Sequence, residues 1–110
     1  MNDLLKEIGK RIYDRRKQMN LTQEVLAERT NVTPQTISTA ELGRKAMRPD
    51  TIIRLCDALE ISTDYLLRGN ITQSDNGPLV QKFSDLTPSQ YRHLEDIINS
   101  YIAAIKESEA

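Results

Sequence analysis

The most constraining feature of this sequence is a pair of helix starts set close together. Thr22-Gln23 and Thr33-Pro34 are the two starts, and only Thr30, Asn31 and Val32 are left to join the helices they open. Threonine caps a helix well because its hydroxyl accepts from an orphan N–H of the first turn. Proline costs nothing at the first helical position, where the N–H has no partner anyway. A helix from Gln23 to Arg29, turning Leu26 and Ala27 inward, must therefore bend sharply into a second one spanning Thr33–Ala40. Asn31 falls where such a bend needs left-handed backbone, which asparagine tolerates better than most residues. Val32 and Ile37 supply an apolar wedge between the two. A joint this short sets helices at a steep angle. Spacing alone leaves open whether the unit is an ordinary helical hairpin or one built to present its second helix.

Short helical patterns surround that joint, and no alternating pattern is long enough to make a strand. The spacing predicts a first helix over Leu4–Gln18 with Leu5, Ile8 and Ile12 on one face. Pro49 opens a fourth, Asp50–Leu59, with Ile52, Leu55, Cys56 and Leu59 as its stripe. Ser62 opens a fifth, Thr63–Arg68, which Gly69 stops. The expected fold is all-α: a five-helix domain over residues 1–69, a polar linker over 70–78, and a C-terminal helical appendage over 79–110. Within the appendage Leu79, Val80, Phe83 and Leu86 fit one face of a short helix. Thr87-Pro88-Ser89-Gln90 reads as a capping box opening a helix that runs to about Lys106. With 110 residues the chain has room for one compact domain and a short addition.

Net charge is −1, but it is unevenly distributed. Residues 1–69 carry 12 Lys/Arg against 10 Asp/Glu, a net of +2, and residues 70–110 carry 3 against 6, a net of −3. Bulk charge decides little; what matters for a polyanionic partner is whether the basic residues share a face. No apolar run approaches the roughly 18 residues of a membrane span, and no leader pattern opens the chain, so neither membrane nor export is expected. A lone cysteine, Cys56, precludes an internal disulfide and suits a reducing cytoplasm. His93 and Cys56 lie on different segments, which argues against a metal cluster or a Cys–His pair within one copy, and no Gly-rich phosphate loop occurs. His93 is expected exposed, Cys56 a small buried apolar residue. No cofactor, metal or catalysis is expected.

From Ile8 to Gly69 the residues resemble the lambda-repressor-like, or Xre-type, helix-turn-helix domain. The resemblance rests on an ordered set. Leu21-Thr22-Gln23-Glu24 and Leu26-Ala27-Glu28 fit the second helix, and Val32-Thr33-Pro34-Gln35-Thr36-Ile37-Ser38 the third. Glu41-Leu42-Gly43-Arg44-Lys45 follows the third helix, with Ala58-Leu59 closing the fourth and Ser62-Thr63-Asp64-Tyr65-Leu66-Leu67-Arg68-Gly69 the fifth. The resemblance implies a sequence-specific DNA-binding transcriptional regulator of the phage-repressor kind, working as a dimer on a double-stranded operator. Its third helix would lie in the major groove with N-terminal residues facing base edges. Pro34, Gln35, Thr36 and Thr39 are then the outward, base-contacting positions, and Gln35 is foremost because its amide can pair bidentately with adenine. Gln23, Arg44, Lys45 and Arg48 are the expected phosphate contacts, with Gln23 also bracing the third helix. Arg11, Arg15 and Lys17 are weaker candidates for such contacts and read first as surface charges. Family likeness further implies a structural salt bridge between Arg16 and Glu41. Two departures stand out. Ala40 occupies a position often filled by a larger apolar residue, so the end of the third helix is expected to pack less fully; Pro49 falls about two residues late, which bears on the path of Arg48.

In the appendage Tyr91, Leu94, Ile98, Tyr101 and Ile105 recur at alternating spacings of three and four, flanked by Ile97 and Ile102. Such a stripe must be buried, either against its own domain or against a second copy. The dimer is the preferred reading, because operator recognition by this fold pairs two half-sites about one DNA turn apart. An antitoxin or adaptor, holding a protein partner through the same helix, is the alternative.

Overall fold

The computed structural model describes residues 2–109, and every regular element among them is a helix. The order is α1 (Asn2–Gln18), α2 (Gln23–Thr30), α3 (Pro34–Glu41), α4 (Pro49–Leu59), α5 (Thr63–Arg68), α6 (Gln73–Ser84) and α7 (Pro88–Glu109). Two compact units contain them, Met1–Asn76 and Gly77–Ala110.

The first unit is held by one apolar cluster to which all five of its first helices contribute. Ile8 and Ile12 come from α1, Leu26 and Ala27 from α2, Ile37 and Ala40 from α3, Leu55, Cys56 and Leu59 from α4, and Leu66 from α5. Each fully buried Leu or Ile among them contributes roughly 1.5–3 kcal/mol through removal of apolar area from water. The helix starts are set as the sequence requires. Thr22, Thr33 and Ser62 are extended N-caps whose hydroxyls accept from the N–H groups of Val25, Thr36 and Tyr65. Asn31 ends α2 at φ 57°, ψ 45°, and its N–H closes onto the last turn. Val32 packs half-buried against the cluster, beside the fully buried Ile37.

Three expectations change. The stretch 70–78 is not irregular throughout, because α6 begins at Gln73 and contains Pro78. Its start is fixed by Asp75, whose carboxylate accepts from Thr72 N (2.8 Å) and Oγ1 (2.9 Å) and from Ser62 N and Oγ (both 2.6 Å). Burial alone would raise the Asp75 pKa; the donors of Ser62 and Thr72 outweigh it and hold the carboxyl below its ordinary value. The same residue thus caps its own helix and ties down the Ser62 that caps α5.

Arg11 and Arg15 are not surface charges. Arg11 Nη1 donates to Leu66 O at 2.9 Å and Arg15 Nε to Leu59 O at 2.8 Å, so each satisfies a carbonyl near the C-terminal end of a helix. The end of α3 does not pack loosely either. Ala40 is buried, and α1 comes so close at Gly9 that a Cβ there would strike the carbonyl oxygens of Ala40 and Glu41. A small residue at position 40 goes with the absence of a side chain at position 9. Gly43 (φ +67°) adds to this closeness, since an added Cβ would meet the backbone of Lys6, so the turn after α3 is pressed onto α1.

In the second unit, Thr87 and Gln90 form the reciprocal cap of α7: Thr87 N donates to Gln90 Oε1 (3.0 Å) and Gln90 N to Thr87 Oγ1 (3.2 Å). That helix runs past Lys106 to Glu109. Leu79 and Val80 on α6 are exposed, and Phe83 and Leu86 half-buried.

Candidate nucleic-acid interface

Helix α3 divides cleanly. Ile37 and Ala40 point into the core, while Pro34, Gln35 and Thr36 are exposed and Thr39 is half-buried. Thr36 shares a 2.9 Å hydrogen bond with the hydroxyl of Thr33, so its side chain is drawn toward the helix start. Gln35 Nε2 approaches Thr39 Oγ1 at 3.4 Å, a long contact that sets the two residues on one ridge without consuming the amide. An open groove of about 470 Å³ runs along this ridge. Gln35, Thr36 and Thr39 line it together with Lys45 and Arg48 from the loop before α4. Pro34 and Arg44 are exposed but do not line the groove. The loop therefore reaches α3 despite its late proline.

Two charged lining residues were not singled out from the sequence. Asp50 and Arg54, one turn apart on α4, enter the groove beside Arg48. Asp50 Oδ1 lies 3.5 Å from Arg48 Nε and Oδ2 lies 3.4 Å from Arg54 Nη2. The i,i+4 spacing of Asp50 and Arg54 was the signal for their pairing; nothing local marks its neighbourhood to α3.

Behind the ridge, Arg16 and Glu41 form a bidentate pair. Arg16 Nε donates to Glu41 Oε2 at 2.6 Å and Nη2 to Oε1 at 3.0 Å, with side chains only 8% and 4% exposed. Arg16 Nη1 also donates to Leu21 O at 2.9 Å. Gln23 adds a third element: its amide donates to Glu41 Oε1 at 3.0 Å. One carboxylate thus joins α1, the start of α2 and the end of α3. Its hydrogen bond raises the Arg16 pKa above the ordinary value against the opposing effect of burial. The guanidinium also sits 5.3 Å from the centre of the Tyr13 ring. Gln23 is half-buried, and this bond spends one of its amide hydrogens.

Cys56 is buried in the core, where desolvation first and then Asp57 and Asp75 push its thiol up to about 11. A thiol so protonated is not a nucleophile at neutral pH. His93 is exposed on α7. On the same helix Tyr91, Ile98, Tyr101 and Ile105 are exposed and Leu94 half-buried. No described helix is long and apolar enough to cross a membrane.

Residues 12–66 match the helix-turn-helix family HTH_3. The chain is similar to repressor protein C2 of Salmonella phage P22, with 32% identity over 68 residues, which are 62% of this chain and 32% of that protein. It is also similar to the HTH-type transcriptional regulator ImmR of Bacillus subtilis (strain 168), with 29% identity over 76 residues, 68% of this chain and 60% of the relative. The matched part therefore spans less than two thirds of either relative. Among solved structures, that of the P22 c2 repressor bound to a synthetic operator superposes with a TM-score of 0.56 at 33% identity, covering 57% of this chain and 96% of that one.

Proposed function

This chain belongs to the HTH_3 helix-turn-helix family, in its lambda-repressor-like branch, and from that premise we propose that it is a sequence-specific DNA-binding transcriptional regulator. The observation that carries this reading is the single groove that joins Gln35, Thr36 and Thr39 of α3 to Lys45 and Arg48. Uncharged polar groups able to read base edges stand beside cations able to hold phosphates, and a duplex offers both along one groove wall. The P22 c2 repressor, solved in complex with a synthetic operator, supports a DNA partner for this chain.

In this reading α3 lies in the major groove, with Gln35 on a base, Pro34, Thr36 and Thr39 along the same edge, and Arg44, Lys45 and Arg48 on the backbone. Gln23, already bonded to Glu41, places the positive end of α2 toward a phosphate. The pair Arg16–Glu41 acts from behind, fixing the angle of α3. A homodimer formed through the exposed stripe of α7 would set two such helices on two half-sites, and occupation of promoter DNA would block polymerase. The test is selection of bound sequences from a random duplex pool, followed by titration of the selected duplex at several salt concentrations. An enriched motif with two-fold symmetry is expected. A pool left unenriched and a protein left free at low ionic strength would end this reading.

The exposed α7 stripe also favours a second reading, an adaptor or antitoxin that seats a foreign helix there. Light scattering separates the two, because the regulator is a dimer alone and the adaptor is a monomer until its partner is added.

A further inference from the structure

One carboxylate stands among the cations of the groove, and it is poorly committed. Asp50 faces Arg48 with one oxygen at 3.5 Å and Arg54 with the other at 3.4 Å. Both separations are longer than a good charge-assisted hydrogen bond. The Arg48, Asp50 and Arg54 side chains are 84%, 54% and 40% exposed, and ion pairs so exposed contribute little. Arg54 also retains a buried Nε without a hydrogen-bond partner among the described residues, so Asp50 does not satisfy that guanidinium. All three residues line the groove shared with Gln35 and Thr39.

A phosphodiester offers the two arginines the same charge as Asp50 and a better match for a guanidinium fork. Resting on the DNA-binding reading above, we infer that Asp50 is a counter-charge which a backbone phosphate displaces. In the free protein it holds Arg48 and Arg54 in the groove. On a duplex the arginines turn to phosphate, and the cost is the loss of their pairing with Asp50. The penalty falls on every sequence alike. It keeps the protein off random duplex at salt concentrations where base contacts from α3 still hold it on a cognate site. Asp50 is thus a positioning residue that acts through Arg48 and Arg54.

Asp50→Asn keeps the size of the side chain and removes the charge. Titrated with a short random-sequence duplex, it should bind about threefold to fivefold more tightly than the wild-type chain, with the same gain on a selected duplex. In a chain also carrying Arg48→Ala and Arg54→Ala, the substitution should give no gain. Equal binding with and without Asp50 in the wild-type background would overturn the inference. So would a gain that survives removal of both arginines, since Asp50 would then only repel the duplex. A wild-type chain that binds no duplex removes the DNA-binding reading itself, a result distinct from binding that ignores Asp50. If Asp50→Asn weakens α4, seen as a lowered melting temperature, Asp50→Ser provides the same comparison with a hydroxyl in the first turn.

Discussion

Arg16 and Glu41, 25 residues apart, hold each other through two parallel hydrogen bonds in a place almost closed to water. The pair, with Gln23, joins α1 and the start of α2 to the end of α3. Losing one partner leaves the other charged and buried, which typically costs about 3–5 kcal/mol, much of a small domain's stability of roughly 5–15 kcal/mol. Glu41→Ala is therefore expected to lower the urea midpoint severely. Replacing both residues together, Arg16→Met with Glu41→Leu, should recover most of the loss. If Glu41→Ala unfolded at the wild-type midpoint, the pair would have no structural role.

Gln35 and Lys45 share a groove but should fail differently. Gln35→Ala is expected to cost about 1–3 kcal/mol on a selected duplex and to relax preference at one base pair. Lys45→Ala should weaken all sequences alike and flatten the salt slope by about one unit. Fluorescence anisotropy on selected and scrambled duplexes reads both. Equal losses on the two duplexes for Gln35→Ala would remove it from base reading.

Asp75 couples stability to pH. Its folded pKa is depressed, so its contribution is present in full above the ordinary carboxylate range and is lost as pH falls through the lowered folded value. Asp75→Asn should melt below the wild type at neutral pH, in the range of about 1–3 kcal/mol for buried donors left without their acceptor. The two melting curves should converge on acidification. A gap that stays constant with pH would assign the effect to something other than the charge.

Glu60 ends α4 at φ 56°, a left-handed conformation that costs a residue with a Cβ roughly 1–2 kcal/mol. Its ion pair to Arg15, at 3.9 Å, is long and largely exposed on the Glu60 side. Glu60→Gly is expected to stabilise the domain by about 0.5–1 kcal/mol, after allowance for the freer unfolded chain, and to raise the melting temperature by a few degrees. Gly69→Ala, at φ 83° against Arg11, should act in the opposite sense.

Removal of residues 87–110 tests the role of α7. Sedimentation should show a folded monomer in place of a dimer, with the helical melt of the first unit retained. A truncated chain of unchanged dimer mass would place the dimer contact elsewhere.

The elements legible in advance are those whose physics closes within one turn. Thr22, Thr33 and Ser62 find their N–H partners three residues on, Thr87 and Gln90 find each other likewise, and Asn31 needs only its own φ to end α2. The outward face of α3 follows from the same periodicity that buries Ile37. What sequence alone misjudged lies at long separation. Arg11 and Arg15 look like solvated charges until carbonyls 55 and 44 residues away arrive beside them. Asp75 looks like linker until Ser62, 13 residues back, offers two donors. Gly9 has no visible purpose before α3 is laid across it, and nothing local announces that Asp50 and Arg54 share a groove with Gln35. A helix start is chosen by neighbours along the chain. The partner of a charged or hydrogen-bonding group on a helix surface is chosen by which other helix end the packed core brings within 3 Å, and that choice exists only once the chain has folded.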